Sequence, residues 1–168
     1  SPHAWYRKIQ KDWLPATLKF EFTDDAHRAG QQVLRSQGGL VVPVIQLSRD
    51  SDPYELLITL NHEMHHVVSV EKHIDALGES TKLNDCMTKY QLLRLQDETD
   101  AFRQEISFWK ASPKWFKDHF SAKKITSQLL GGKAVTYSDY YRQLEAKLGG
   151  DKNFVVKKYI DLKEAPTC

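Results

Sequence analysis

Cysteine is scarce in this 168-residue chain, and the two present, Cys86 and Cys168, form no Cys-x-x-Cys pair. That argues against a cysteine-based zinc site. The pair is compatible with a disulfide tying the C-terminus to the body, and equally with two unrelated thiols. Charge of one sign is also lacking. The 24 lysines and arginines face 22 acidic residues, so there is no polybasic footprint of the kind that binds nucleic acid. No apolar run approaches membrane-spanning length. Internal repeats, low-complexity segments and interdomain linkers are missing as well. The length suits one domain with a real core, and residues 1–168 are read as that domain.

What is present divides into a short strand-rich part and a long helical part. Residues 1–17 carry Trp5, Tyr6, Trp13 and Leu14, aromatics expected to pack onto the domain. Leu18–Thr23 alternates apolar and polar residues, which predicts a strand with its apolar side facing the core. A helix is expected from about Asp25 to Gln37, capped by Thr23 or Asp24 and ended by Gly38-Gly39. Leu40–Leu47 reads as a second strand, and Pro43, unable to donate a ladder hydrogen bond, favours a sheet edge.

Asp52 is suited to be an N-cap, with Pro53 and Glu55 at the first and third helical positions. In the helix that follows, Leu57, Leu60, Met64 and Val67/Val68 make one apolar stripe while His62, His66 and Ser69 fall on another. A second long helical pattern runs from Thr81 to about Lys110. Ser112-Pro113 opens a short helix, Gly131-Gly132 marks a turn, Thr136 or Ser138 opens a helix ending at Gly149-Gly150, and Asn153–Lys163 predicts the last.

The chemistry is concentrated in Leu60-Asn61-His62-Glu63-Met64-His65-His66-Val67, which contains H-E-x-x-H. Residues four apart lie one above the other on a helix, so two imidazoles at this spacing grip one Zn²⁺ from one side. Glu63 then lies beside the metal as a general base. The motif resembles that of the zincin metallopeptidases. Catalytic zinc normally takes three protein ligands, leaving the fourth position to water.

Three patterns supply a third ligand. In the metzincin pattern the place of the third histidine is held by Lys72; His73 is one residue late and, on an unbroken helix, about 16 Å along the axis from His62. The aspzincin pattern is poorly matched around Asp139, which is more simply a helix N-terminal charge. The third pattern is that of the gluzincins, where a glutamate followed three residues later by alanine lies on a following helix. Glu98-Thr99-Asp100-Ala101 fits it.

The stretch from Leu40 to Trp109 therefore resembles a compact gluzincin. The resemblance implies Glu98 as third ligand, with His73 and Asp97 trailing. By ideal helix geometry Asp97 and Asp100 point about 100° and 200° away from Glu98, and Glu105 shares its face about 10 Å further along. Phe102 stands where the family commonly has an acidic residue, so Asp100 or Glu105 is expected to support the histidines instead. Otherwise both are solvated charges.

These residues imply an α+β, zincin-like fold, helix-rich, with a small sheet whose edge strand, Val41–Leu47, borders the active-site helix and pairs with extended substrate. The implied activity is zinc-dependent hydrolysis of a peptide or protein substrate, with Zn²⁺ held by His62, His66 and Glu98 and with Glu63 as base. A non-catalytic zinc-binding sensor or protein-binding domain on the same scaffold is the alternative. His119, Tyr137, Tyr140 and Tyr141 are candidates, by residue type, for stabilising the oxyanion; His65 is expected to be structural or at the surface. The chain starts at Ser1, not Met, and small zinc hydrolases often act outside the cytoplasm, so a secreted or periplasmic location is expected.

Overall fold

The structure, a computed structural model, describes residues 18–24, 29–37, 40–69 and 83–161. The N-terminal aromatics, His73, the Gly78–Thr81 segment and Cys168 lie outside the described residues, as does the side chain of Cys86. The class is α+β, with five α-helices and two small sheets among the described residues.

Three strands come first: β1 (Lys19–Thr23), β2 (Gly30–Gln37) and β3 (Leu40–Ser48). They form a sheet in the order β1-β3-β2, with β1 parallel and β2 antiparallel to β3. The expected helix over Asp25–Gln37 is corrected here, because its residues 30–37 are β2. Their period is two. Gln31 and Arg35 face the same side and bond across the sheet, Gln31 Nε2 donating to Gln46 Oε1 at 2.6 Å and Arg35 pairing with Glu21 through both guanidinium nitrogens. Gln37 pairs with Leu40 in the antiparallel β2–β3 ladder, so the expected helix does not run up to its expected end; Gly38-Gly39, expected to end it, lies outside the described residues. Gly30 lets β2 lie against the following helix, since a Cβ there would come within 2.6 Å of Thr59 Cγ2.

The second correction concerns β3, which is the central strand and not an edge. Among the described residues β1 pairs with Val44–Ser48 and Pro43 is flanked on the β2 side alone, where a missing N–H is tolerated. The third concerns β1. Phe20 and Phe22 are in register with the buried Ile45 and Leu47, yet they are 55% and 61% exposed. Helix α1 packs over β2 and β3, so these two rings lie beyond its cover.

Helix α1 (Pro53–Val68) begins as expected: the Asp52 side chain accepts from the backbone N–H groups of Tyr54 and Glu55. Then follow α2 (Leu83–Ala111), α3 (Lys114–His119), α4 (Tyr137–Gly150) and α5 (Phe154–Asp161). Thr136 caps α4 by accepting from Asp139 N–H. A small hairpin not anticipated from sequence, β4 (Lys124–Thr126) with β5 (Ala134–Thr136), turns through Gly131 and Gly132 at φ of 88° and 76°. Those angles are left-handed, which explains the glycines.

Two apolar clusters meet along α1. Met64 and Val67 pack on Ile45 and Leu47 of the sheet. Ile58 joins the larger aromatic cluster, which includes Phe102, Trp109, Phe116, Phe120, Tyr137 and Tyr141 from α2, α3 and α4. Between these clusters, α1 turns its polar stripe toward α2. No described helix is long and apolar enough to cross a membrane.

Candidate metal centre

His62 and His66, one turn apart on α1, face Glu98 on α2. One ligand atom from each of the three lies within 4.8 Å of the others. Glu98 Oε1 is 2.7 Å from His66 Nε2, and Glu98 Oε2 is 3.3 Å from His62 Nε2. The fully buried Ala101 lies one turn beyond Glu98, a small side chain where α1 and α2 pack together. Both Nε2 atoms thus point at one carboxylate.

The opposite nitrogens are held just as firmly. His62 Nδ1 is 2.9 Å from Glu105 Oε2, and Glu105 Oε1 accepts from the Tyr141 hydroxyl at 2.6 Å. His66 Nδ1 bonds Asp97 Oδ2, while Asp97 Oδ1 accepts from Ser69 Oγ at 2.5 Å and lies 3.1 Å from His65 Nε2. Of the two expected supports, Glu105 is at the site and buried. Asp100 is exposed beside Arg103. The Phe102 ring stands edge-on to His62 at 4.8 Å and shapes the pocket by contact instead of charge.

Electrostatics follow from this double embrace. Burial opposes a charge on His62, but Glu98 and Glu105 outweigh it and hold its pKa well above the ordinary value. Burial likewise opposes protonation of His66, and Asp97 and Glu98 reverse the balance upward. Burial would raise the carboxyl pKa of Glu98, yet the two imidazoles bring it well below the carboxylate range; His65 and His66 do the same for Asp97. An imidazole facing carboxylates through both nitrogens carries protons on both, as an imidazolium. Glu63 differs: it is 7% exposed, and burial raises its pKa despite the two neighbouring histidines.

The cluster opens on a cavity of about 580 Å³ whose lining includes Gly30, Gln32, His62, Glu63, His66, Arg94, Glu98, Glu105 and Tyr159. The strand that borders the cavity is β2, an edge of the described sheet. The expected oxyanion candidates are elsewhere. His119 Nε2 lies 2.9 Å from Asp52 Oδ2 and its ring stacks on Tyr54. Tyr137 donates to Glu55 and Tyr141 to Glu105, and Tyr140 is in the aromatic core. Asp139 is at the start of α4, beside Arg142.

Three contributors escape sequence reasoning. Asp97 supports His66, a role that the need of each ligand imidazole for an acceptor at its other nitrogen would have suggested. Tyr159, on α5, reaches Glu98 Oε2 at 3.4 Å, and Arg94 lies one turn before Glu98. No local signal marks Tyr159, because only the packing of α5 on α2 brings it to the cavity.

The donor set fits a zinc ion by its chemistry: two imidazole nitrogens and one carboxylate converge, each imidazole is oriented by a carboxylate behind it, and the cavity gives access. Comparison with models of known families, with curated proteins and with solved structures finds no match to this chain.

Proposed function

We propose that the chain is a zinc-dependent peptidase of the gluzincin type, hydrolysing a peptide bond in a peptide or protein substrate. His62, His66 and Glu98 are the metal ligands, and Glu63 is the general base. The observation that carries this reading is the convergence of those three ligand groups beside a buried glutamate, at the wall of an open cavity. Glu63 favours catalysis over a purely metal-binding role, since holding the ion does not require it.

Zinc bound there supplies a Lewis acid for the scissile carbonyl and brings the pKa of a bound water toward neutrality. Glu63, its pKa raised by burial, takes a proton from the attacking water and passes it to the leaving amine. Glu105 and Asp97 fix the ring planes of His62 and His66. The Tyr159 hydroxyl, at the cavity wall, donates to Glu98 Oε2 at 3.4 Å and so helps to place that carboxylate. Residues 29–32, at the start of β2, offer main-chain groups to an extended substrate.

The test is Glu63→Gln, measured for zinc content and for turnover of a mixed peptide library. The variant retains zinc and loses hydrolysis by about 10²–10⁴-fold, because the ligands remain and only proton transfer is removed. Full activity in Glu63→Gln would remove the general base from the account. Zinc binding by the unaltered chain with no turnover of any peptide would favour the non-catalytic alternative.

A further inference from the structure

The basic side chains are unevenly placed along the sequence. Residues 110–133 hold six lysines and one aspartate, while the rest of the chain holds 18 lysines and arginines against 21 acidic residues. The stretch covers the end of α2, all of α3, and β4 with the turn toward β5. A second cavity, of about 560 Å³, opens between α2, α3 and α4, and among the described residues it shares no lining with the cavity at the metal centre. Lys110, Lys117 and Arg142 line it against a single carboxylate, Glu145. Trp109 and Tyr141, stacked at 5.0 Å, line it too.

The three cations are not equally occupied. Lys110 Nζ lies 2.8 Å from Glu145 Oε1, and Arg142 Nη2 lies 3.2 Å from Asp139 Oδ1. Both pairs are exposed, where such pairing is weak and readily exchanged. Lys117 is half-buried. Among the described residues its Nζ donates to the Lys110 carbonyl at 3.2 Å and to no carboxylate. An ammonium has three donors, so this one keeps a charge and two donors for a ligand.

Three cations against one carboxylate call for an anion, and Lys110 and Arg142 already hold carboxylates at this rim. The aromatic side chains narrow the class further. Trp109 and Tyr141 are 5% and 2% exposed, too little to stack a nucleobase, yet they give the cavity an apolar edge for an aliphatic side chain. We propose that this face docks an acidic segment of a partner protein, with Glu or Asp carboxylates on Lys117 and Arg142 and an apolar side chain between them beside Trp109. Charge complementarity of this kind steers association and selects the partner. The surface is separate from the metal centre and does not depend on the peptidase reading.

The test is an NMR titration of the full, chelator-stripped chain with acetyl-Glu-Glu-Leu-Glu-Glu-amide and with its twin in which every Glu is Gln. The acidic peptide moves the Trp109 indole signal and the amide signals of Lys117 and Arg142, and binds about 10-fold or more tightly than the neutral twin. Raising the salt from about 0.05 to about 0.3 M weakens it several-fold. Lys117→Glu combined with Arg142→Glu abolishes the preference, and the gentler Lys117→Gln with Arg142→Gln reduces it by about 3- to 10-fold. Lys152→Glu makes the same charge change as Lys117→Glu at an exposed position that does not line the cavity, and leaves binding within about twofold.

Equal binding of the two peptides, shifts at other residues while these three stay still, or binding that the charge reversals leave unchanged overturns the proposal. So does binding of tripolyphosphate or of anionic phospholipid vesicles at these residues with the acidic peptide left unbound, which would assign the face to a polyphosphate or a membrane surface.

Discussion

Helix α1 holds one carboxylate–histidine cluster at its N-terminus and another about three turns further on, and the two obtain their positive charge differently. At the N-terminus, Asp52 meets His119 at 2.9 Å and Lys123 at 2.8 Å, and Lys123 also lies 3.6 Å from Glu55. Lys123, with His119, holds the Asp52 carboxyl far below its usual range. Further along, Glu98 and Glu105 meet imidazoles and tyrosine hydroxyls. In the metal-free chain their positive charge is carried by protons on His62 and His66. An ammonium is a permanent partner, whereas imidazolium protons exchange for a metal ion. The same helix thus has one cluster complete in itself and another suited to trade protons for zinc.

The largest expected break in this contrast comes from His66→Ala. It removes a proposed ligand and should lower zinc affinity by roughly 100-fold or more, as read by titration against a competing chelator. It also takes the nearest imidazole from the buried Asp97 carboxylate, so the metal-free chain should lose ~3 kcal/mol in urea unfolding.

Glu98→Gln keeps the side chain's size and should also weaken zinc strongly, without unfolding the metal-free chain. Its second effect is on His62. Glu98 is the foremost group raising that pKa, so the imidazole should titrate lower in the variant when followed by NMR. The signs fix a pH window for the metal-free chain. A raised histidine pKa gives stability that is full below about pH 6.5 and lost as pH rises through the folded value. Depressed Asp97 and Glu98 give stability present above about pH 4.3 and lost as pH falls through theirs. The cluster should therefore stabilise the metal-free fold most between these limits, and Glu98→Gln should flatten the profile.

Tyr141→Phe is gentler. It removes the hydroxyl that Glu105 accepts from while the ring stays stacked on Trp109. Zinc affinity should fall about 10-fold, with no loss of the ligands themselves.

Asp52→Ala should have the smallest consequence for the metal. It deletes the α1 N-cap and costs ~1 kcal/mol at neutral pH, leaving zinc affinity unchanged. Because the folded Asp52 pKa is depressed, the charge-dependent part of its stabilisation is present above the unfolded carboxyl pKa and fades as pH falls through the folded one. The difference in stability between this variant and the parent should shrink in acid.

The two clusters also differ in how far sequence foretold them. H-E-x-x-H on an amphipathic helix, and a Glu-x-x-Ala one helix later, are local patterns, so the groups that converge at His62, His66 and Glu98 are readable from spacing. The Asp52 cap is local too, but its partners His119 and Lys123 arrive from α3 and the segment after it, and nothing near them in the chain announces the meeting. The sheet is hard to read from sequence for a related reason. Gly38-Gly39 satisfies both a helix C-cap and a hairpin, and residues 30–37 have too few apolar side chains for periodicity to decide. Polar cross-strand pairs, Arg35 with Glu21 and Gln31 with Gln46, stabilise β2 instead. A helix over residues 30–37 would leave β3 at an edge, whereas β2 is the strand that borders the cavity.

The contrast between the clusters stands or falls on zinc titration of the purified, chelator-stripped chain, with proton release followed in parallel. The account predicts one zinc bound per chain, protons released on binding as His62 and His66 give up theirs, and both signals lost in His66→Ala. Absence of zinc binding, or binding that His66→Ala and Glu98→Gln leave unchanged, would contradict it.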